Sequence, residues 1–169
     1  MPPLLTILAA LAAITLGLGV VFVLGMRTKS MLVLRPLFWI SKRVMNPAQM
    51  RTAGTPGAYA SIIRATGRVS GRLHETPVGV IPDGDDFLIA LPYGARAQWL
   101  QNVLAAGTAE LVTEGRAYRV DRPELLPARE VASRFSATDQ RLFRWLATTD
   151  CLRLRRVAVL PERVEAVAA

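Results

Sequence analysis

The stretch Thr76-Pro77-Val78-Gly79-Val80-Ile81-Pro82-Asp83-Gly84-Asp85-Asp86-Phe87-Leu88-Ile89-Ala90-Leu91 decides the fold class. Apolar runs of strand length at Thr76 to Ile81 and Phe87 to Leu91 flank Pro82-Asp83-Gly84-Asp85, a strong turn signal. The reading is two antiparallel strands joined as a hairpin. Working outward, Tyr59 to Thr66, Thr108 to Thr113, Ala117 to Val120 and the Leu152-Leu154-Val157-Val159 segment are further strand candidates, with Glu114-Gly115-Arg116 as a second tight turn. Ala95 to Ala106 has helical spacing, with Trp99, Leu100, Val103 and Leu104 on one side and Gly107 as its stop. Pro127 to Ala147 is helical in character, with a break near Ser136-Ala137-Thr138-Asp139. The sum is five or six strands with about two helices. Consecutive hairpins make the sheet antiparallel, and a sheet this small tends to close into a barrel.

The first 25 residues are of another kind. Leu4 to Gly25 carries no charge and at the helical rise covers roughly 33 Å, enough to cross a bilayer core. A cleaved signal peptide is the competing reading. Against it stand the lack of a basic n-region in Met1-Pro2-Pro3, the length of the apolar run, and the lack of a well-placed small-x-small cleavage site. Arg27, Lys29, Arg35, Lys42 and Arg43 follow the segment and no Lys or Arg precedes it. The positive-inside rule then puts the N-terminus outside and the main domain in the cytoplasm. Ser30 to Met45 reads as an amphipathic helix, opened at Pro36 and ended by Asn46-Pro47. It suits the headgroup layer or the flank of the globular domain. The expected organisation is an anchor over residues 1–26, a basic interfacial linker over 27–52 and a cofactor-binding domain over 53–169.

Composition narrows the chemistry. Of 21 basic residues, two are lysines, Lys29 and Lys42, and the formal charge is +8. Arginine forks match carboxylate and phosphate geometry. No recognition-helix or aromatic RNA-binding pattern accompanies the charge, so nucleic acid is not the expected partner. The single cysteine, Cys151, allows no internal disulfide and reads as core packing. His74 is the only histidine, so a histidine metal cluster is excluded, and a strand or surface role is expected for it. The Rossmann fingerprint and the P-loop are both absent.

The chemistry concentrates between Thr66 and Asn102. Thr66-Gly67-Arg68-Val69-Ser70-Gly71-Arg72 is a glycine-flanked loop whose Arg68, Arg72 and Ser70 can grip a phosphate, with Arg64 one short strand step earlier. Leu91-Pro92-Tyr93-Gly94 is a second glycine turn, where a flat ring can approach the backbone beside Tyr93 or Trp99. Asn102, three residues past Trp99, shares its helix face. No carboxylate pair is convincingly placed for acid–base work. An enzyme built from these parts would leave the hard chemistry to its cofactor.

The ordered set Thr-Gly-Arg-x-Ser-Gly, Thr76-Pro77, hairpin, Tyr-Gly turn and Trp-x-x-Asn resembles the deazaflavin-dependent nitroreductase family over about residues 58–160. The resemblance implies a split β-barrel that is mostly β with flanking helices. It also implies a 5-deazaflavin coenzyme of the F-420 type, with FMN as the alternative, and hydride transfer to quinones, nitro compounds or other electrophiles. A non-catalytic barrel that holds FMN, haem or a lipid is the second reading. By the resemblance, Arg68, Ser70, Gly71 and Arg72 face the coenzyme's phosphate and acidic tail, while Leu91, Pro92, Tyr93 and Gly94 lie by the ring with Trp99 and Asn102. Arg64, Thr76 and Pro77 complete the expected coenzyme set. Val69 stands where the family often has a base, and Pro92-Tyr93-Gly94 replaces a turn that often carries a lysine. Arg64 and Arg96 are the candidate substitutes. Phe135, Phe143 and Trp145 stand in for the family's tyrosine-rich substrate segment. Lipid bilayer and a homodimer through the barrel are the remaining expected partners.

Overall fold

The computed structural model describes residues 3–161. Residues 1–2 and 162–169, the outer ends of the expected anchor and barrel domain, lie outside the described residues. The chain opens with α1, Pro3–Arg27, a 25-residue helix whose apolar side chains are largely exposed as far as Leu24, with Met26 buried at its end. Lys29, at φ 53°, turns the backbone into α2, Met31–Ile40. A π-helical turn, Ser41–Met45, and α3, Asn46–Met50, follow without a gap. Two expectations are corrected here. Pro36 lies inside α2 rather than opening it, and Pro47 sits in the first turn of α3 rather than ending the helix. Pro36 is exposed and removes only the bond to the carbonyl of Leu32, a residue 89% exposed, where water can serve. At Pro47 the wider π turn relieves the ring's clash with the carbonyl four residues back.

Seven antiparallel strands form one sheet in the order β2-β1-β5-β6-β7-β4-β3. They are β1 Ser61–Thr66, β2 Leu73–Val78, β3 Ile81–Asp83, β4 Asp86–Ala90, β5 Thr108–Thr113, β6 Arg116–Pro127 and β7 Asp150–Leu160. The Asp-Gly turn forms as expected, with Gly84 at φ 62° and Asp83 paired to Asp86. Thr76 to Ile81 is not one strand, however. It divides at Gly79 into β2, which pairs with β1, and β3, which pairs with β4, at opposite edges of the sheet. Strand β6 also runs past the expected end at Val120. It carries Arg122-Pro123 through irregularities at Arg119/Val120 and Asp121/Glu124, where a proline's missing N–H and the φ of 49° at Arg122 are tolerated.

The sheet curls around one helix. Helix α4, Gln98–Ala106, ends at Gly107 in the left-handed conformation (φ 69°). It buries Leu100 and Val103 completely. The same core takes Ile63 from β1, Val78 from β2, Phe87 and Ile89 from β4, Leu111 from β5, Val120 from β6 and Leu152 and Leu154 from β7. Both ends of the sheet thus reach a common centre, the half-barrel curl expected of a split barrel. Leu88, between Phe87 and Ile89, faces the other way and meets Cys151 and Phe135 under α5, Ala128–Val131, and α6, Ala137–Leu146. Ser136 caps α6 by accepting the Asp139 N–H at 3.2 Å, which stabilises the break in this helical region by about 1 kcal/mol.

Many of the arginines stitch strands together. Arg64 lies opposite Glu75 and Glu110 in register and pairs with both. Arg155 forms a two-pronged pair with Asp121 at 2.9 Å on each arm. Arg153 meets Glu124, its register partner. Directly opposite charges of this kind stabilise an antiparallel pair by a few tenths to about 1 kcal/mol.

Candidate functional site

The Leu91–Gly94 turn is built by the end of β4. The Leu91 N–H donates to the Asp150 carbonyl (3.1 Å) and the Gly94 N–H to the Leu91 carbonyl (2.9 Å). Gly94 sits at φ 76°, a conformation that disfavours any side chain. A cavity of about 130 Å³ opens here. Pro77, Val78 and Gly79 line it from the end of β2, Ile89 to Gly94 from β4 and the turn, and Ala97 and Trp99 from the start of α4. Residues from the β2 edge and from β4, the strand next to the opposite edge, therefore converge where a ring is expected.

Tyr93 is half-buried and meets Phe38 of α2 edge-on, with centroids 5.9 Å apart at 80°. Burial pushes its phenol pKa up, with Ser41 acting in the opposite direction. Lys29 donates from Nζ to the carbonyls of Pro92 (2.6 Å) and Leu146 (3.2 Å), and its Cδ lies 3.9 Å from where a Cβ at Gly94 would stand. Burial lowers the Lys29 pKa, partly offset by the Asp150 carboxylate. The base at this turn is thus Lys29, which the sequence reading assigned to the headgroup collar. Nothing local pointed to it. The available signal was compositional, since Lys29 is one of only two lysines among 21 basic residues. A compact ammonium with rotatable donors can serve two converging carbonyls.

The Gly67–Arg72 loop is the β1–β2 hairpin connection. It is closed by Gly67 N–H to the Arg72 carbonyl and Gly71 N–H to the Gly67 carbonyl, both 2.8 Å, with Gly71 at φ 65°. Arg68 donates its backbone N–H (3.3 Å) and an Nη1 N–H (2.9 Å) to Asn102 Oδ1. Asn102 is 7% exposed. Ser70 Oγ accepts the Arg72 N–H (3.3 Å) and hydrogen-bonds His74 Nε2 (3.1 Å). The Arg72 side chain is exposed and makes no ion pair among the described residues. Helix α4 joins the two parts: Trp99 lines the cavity and Asn102 holds the loop, about 4.5 Å further along the axis.

Other expected site residues lie elsewhere. Arg64 is committed to Glu75 and Glu110 on the sheet. Thr76 is in β2 opposite Ile63. Phe135 and Phe143 meet edge-to-face, with centroids 4.8 Å apart at 73°, in the second core, across the sheet from the main core that Ile89, a lining residue of the cavity, belongs to. Trp145 is exposed and adjoins α1. These three aromatics do not line the Tyr93 cavity, because α6 packs on the opposite side of β4. Cys151 is fully buried, and its thiol is pushed up to about 11, which fits packing rather than nucleophilic chemistry. Among the described residues no group of His, Cys, Asp and Glu is placed to hold a metal.

The residues fit a coenzyme with a flat ring and an anionic tail. The cavity is walled mainly by apolar side chains, its glycine corner has no Cβ, and a loop whose Arg72 makes no ion pair among the described residues lies at the other end of β2. A family model described as F420H(2)-dependent quinone reductase matches residues 40–144, more than half of the 169-residue chain. No protein with a curated description matches. Similar solved structures include one described as F420 Reductase, 12% identical, covering 65% of this chain and 94% of its own, with a TM-score of 0.45. Another is an F420-H2 dependent reductase (FDR-A), 13% identical, covering 57% and 94%, at 0.47. A third is an FMN-binding protein from Syntrophomonas wolfei, 17% identical, covering 78% and 97%, at 0.42. At these scores the structural likenesses carry no argument. The family match does, because it takes in the arginine loop, the Tyr93 turn and α4. The chain belongs to the F420H(2)-dependent quinone reductase family, oxidoreductases whose coenzyme is the deazaflavin F420.

Proposed function

We propose that this chain is a membrane-anchored reductase that reduces a quinone or nitro compound at the Tyr93 cavity. The cavity shared by the end of β2, the Leu91–Gly94 turn and the start of α4 carries this reading. A bound deazaflavin would supply the hydride. Pro77, Leu91 and Trp99 would exclude water from its ring, and Gly94, with no Cβ, would leave the backbone open to it. Lys29 fixes the turn through the Pro92 carbonyl. Arg72 would receive the phosphate and acidic tail, and Asn102 presets Arg68 beside it. No side chain is assigned proton transfer, so the protein's share is binding, orientation and desolvation.

In this reading α1 is the anchor, residues 27–52 form a basic interfacial segment and residues 53–169 form the coenzyme domain. The charge asymmetry around α1 supports a cytoplasmic domain. The test is a titration of the full chain in detergent micelles with oxidised F420, FMN and haem, followed by ring fluorescence or absorbance. Saturable F420 binding that weakens in Arg72→Ala is the expected result. Selective FMN or haem binding, or none, would overturn the assignment.

A further inference from the structure

We infer that α6 is a second membrane-contacting element, seated on anionic lipid at the foot of α1. This rests on reading α1 as a bilayer span. The two helices are fastened by hydrogen bonds. Arg27 Nη1 donates to the carbonyls of Arg144 (3.0 Å) and Trp145 (3.1 Å), and Lys29 Nζ to that of Leu146 (3.2 Å). These are consecutive carbonyls in the last turn of α6, at its negative end; that of Arg144 also accepts the Ala147 N–H at 3.4 Å. Met26 and Leu146 bury each other beside the joint. The end of α6 is therefore held at the height where the span emerges.

That height places Trp145 at the lipid boundary. Its side chain is 55% exposed and shares an apolar groove of about 820 Å³ with Gly19, Val20, Phe22 and Val23 of α1. Phe22 is five residues before Arg27, about 7.5 Å into the apolar part of the span. An indole prefers this depth, where its ring meets acyl chains and its N–H meets headgroups. Leu142, 41% exposed, lies three residues earlier on the same helix face. Arg141 and Arg144 are exposed beside the pair. The acid of α6, Asp139, is turned to Ser136 at the far end. An apolar strip edged by arginines at the base of a span is complementary to anionic headgroups over hydrocarbon. Helix α2, with Leu32 89% and Trp39 60% exposed, contacts the same foot. The domain then rests on the bilayer on two helices, with the Tyr93 turn tied to that platform through Lys29.

The full chain carrying Trp39→Phe and Trp99→Phe leaves Trp145 as its only tryptophan. It is reconstituted into vesicles of equal parts phosphatidylcholine and phosphatidylglycerol, with and without brominated acyl chains. Expected are a blue-shifted emission, loss of most of it to brominated lipid, and shielding from aqueous acrylamide. The paired charge reversal Arg141→Glu/Arg144→Glu should restore acrylamide access while the protein still floats with the vesicles. Emission open to acrylamide and untouched by brominated lipid would overturn the proposal. Shielding from acrylamide without quenching by lipid would overturn it too, since a second copy of the chain would then cover the indole. Failure to float would bring down the anchor reading together with this one. F420 titration of the wild-type chain, with Trp99 intact, in the same vesicles reports on the coenzyme reading separately.

Discussion

The two glycine corners of this molecule reach their chemistry by opposite routes. The Gly67–Arg72 loop carries its own bases and closes on itself by short-range hydrogen bonds. The Leu91–Gly94 turn has no base of its own and receives Lys29 from 63 residues away. In the loop both arginines are exposed, but Arg68 is held by Asn102 through Nη1 while the Arg72 side chain makes no ion pair among the described residues. In the turn, the base is an ammonium arriving from the residues that follow α1. A charge required at a point in space need not be adjacent in the chain, and a charge present in a motif need not be free to act.

The largest expected effect breaks this contrast at Gly94. Gly94→Val forces a β-branched residue to φ 76°, costing about 1–3 kcal/mol, and places methyl groups in the cavity. F420 affinity should fall more than ~10-fold, read by fluorescence titration. Gly67→Ala is the matched control. Its Cβ would stand 2.5 Å from Ser70 Oγ and 2.7 Å from His74 Nε2, side-chain tips that can swing away, so binding should survive with a small loss.

Lys29→Met comes next. It leaves the Pro92 and Leu146 carbonyls without their donor and should lower stability by about 1–3 kcal/mol, seen as a lower thermal midpoint. It also carries a pH signature. Burial depresses the Lys29 pKa below its free value of 10.5, so in the window below that value the unfolded chain binds more protons than the folded one. Wild-type stability therefore gains a rising contribution as pH climbs through the window. Lys29→Met should flatten that rise; an unchanged slope would mean that the ammonium is not held at the turn.

Asn102→Ala removes the acceptor of both Arg68 donors and should cost about 1–2 kcal/mol, with a matching drop in denaturant midpoint. The smallest effect on the fold is expected from Arg72→Ala, within about 0.5 kcal/mol of wild type. Its signature is a several-fold weaker F420 affinity that converges on wild type as salt rises. If Arg68→Ala weakened F420 more than Arg72→Ala, the division of labour drawn between the two arginines would be reversed.

Much of the fold was legible in local signals. The Asp83-Gly84 and Glu114-Gly115 turns, the stop at Gly107 and the apolar length of α1 each depend on neighbouring residues alone. The misreadings share one cause. Thr76 to Ile81 looked continuous because nothing in its pattern says that β1 claims one half and β4 the other. The strand at Ala117 looked as if it ended at Val120 because the irregularities that carry it past Pro123 are set by the pairing with β7. The grouping of Phe135, Phe143 and Trp145 as a substrate segment rested on the resemblance, and their local sequence does not show their separate surroundings. The packing of α6 sends the two phenylalanines into a core and the tryptophan toward α1.

By itself the sequence determined which residues turn, which lie in extended runs, where the apolar helix begins and ends, and which motif pair points to the deazaflavin family. These follow from sterics and hydrophobic periodicity acting over a few residues. Only the tertiary structure decided that Pro77 and Gly94 share a cavity, that Arg68 answers to Asn102 while Arg72 makes no ion pair among the described residues, and that Lys29 supplies the base at the turn. Those outcomes depend on how a curled sheet brings distant edges around α4, and burying a common core sets that curl.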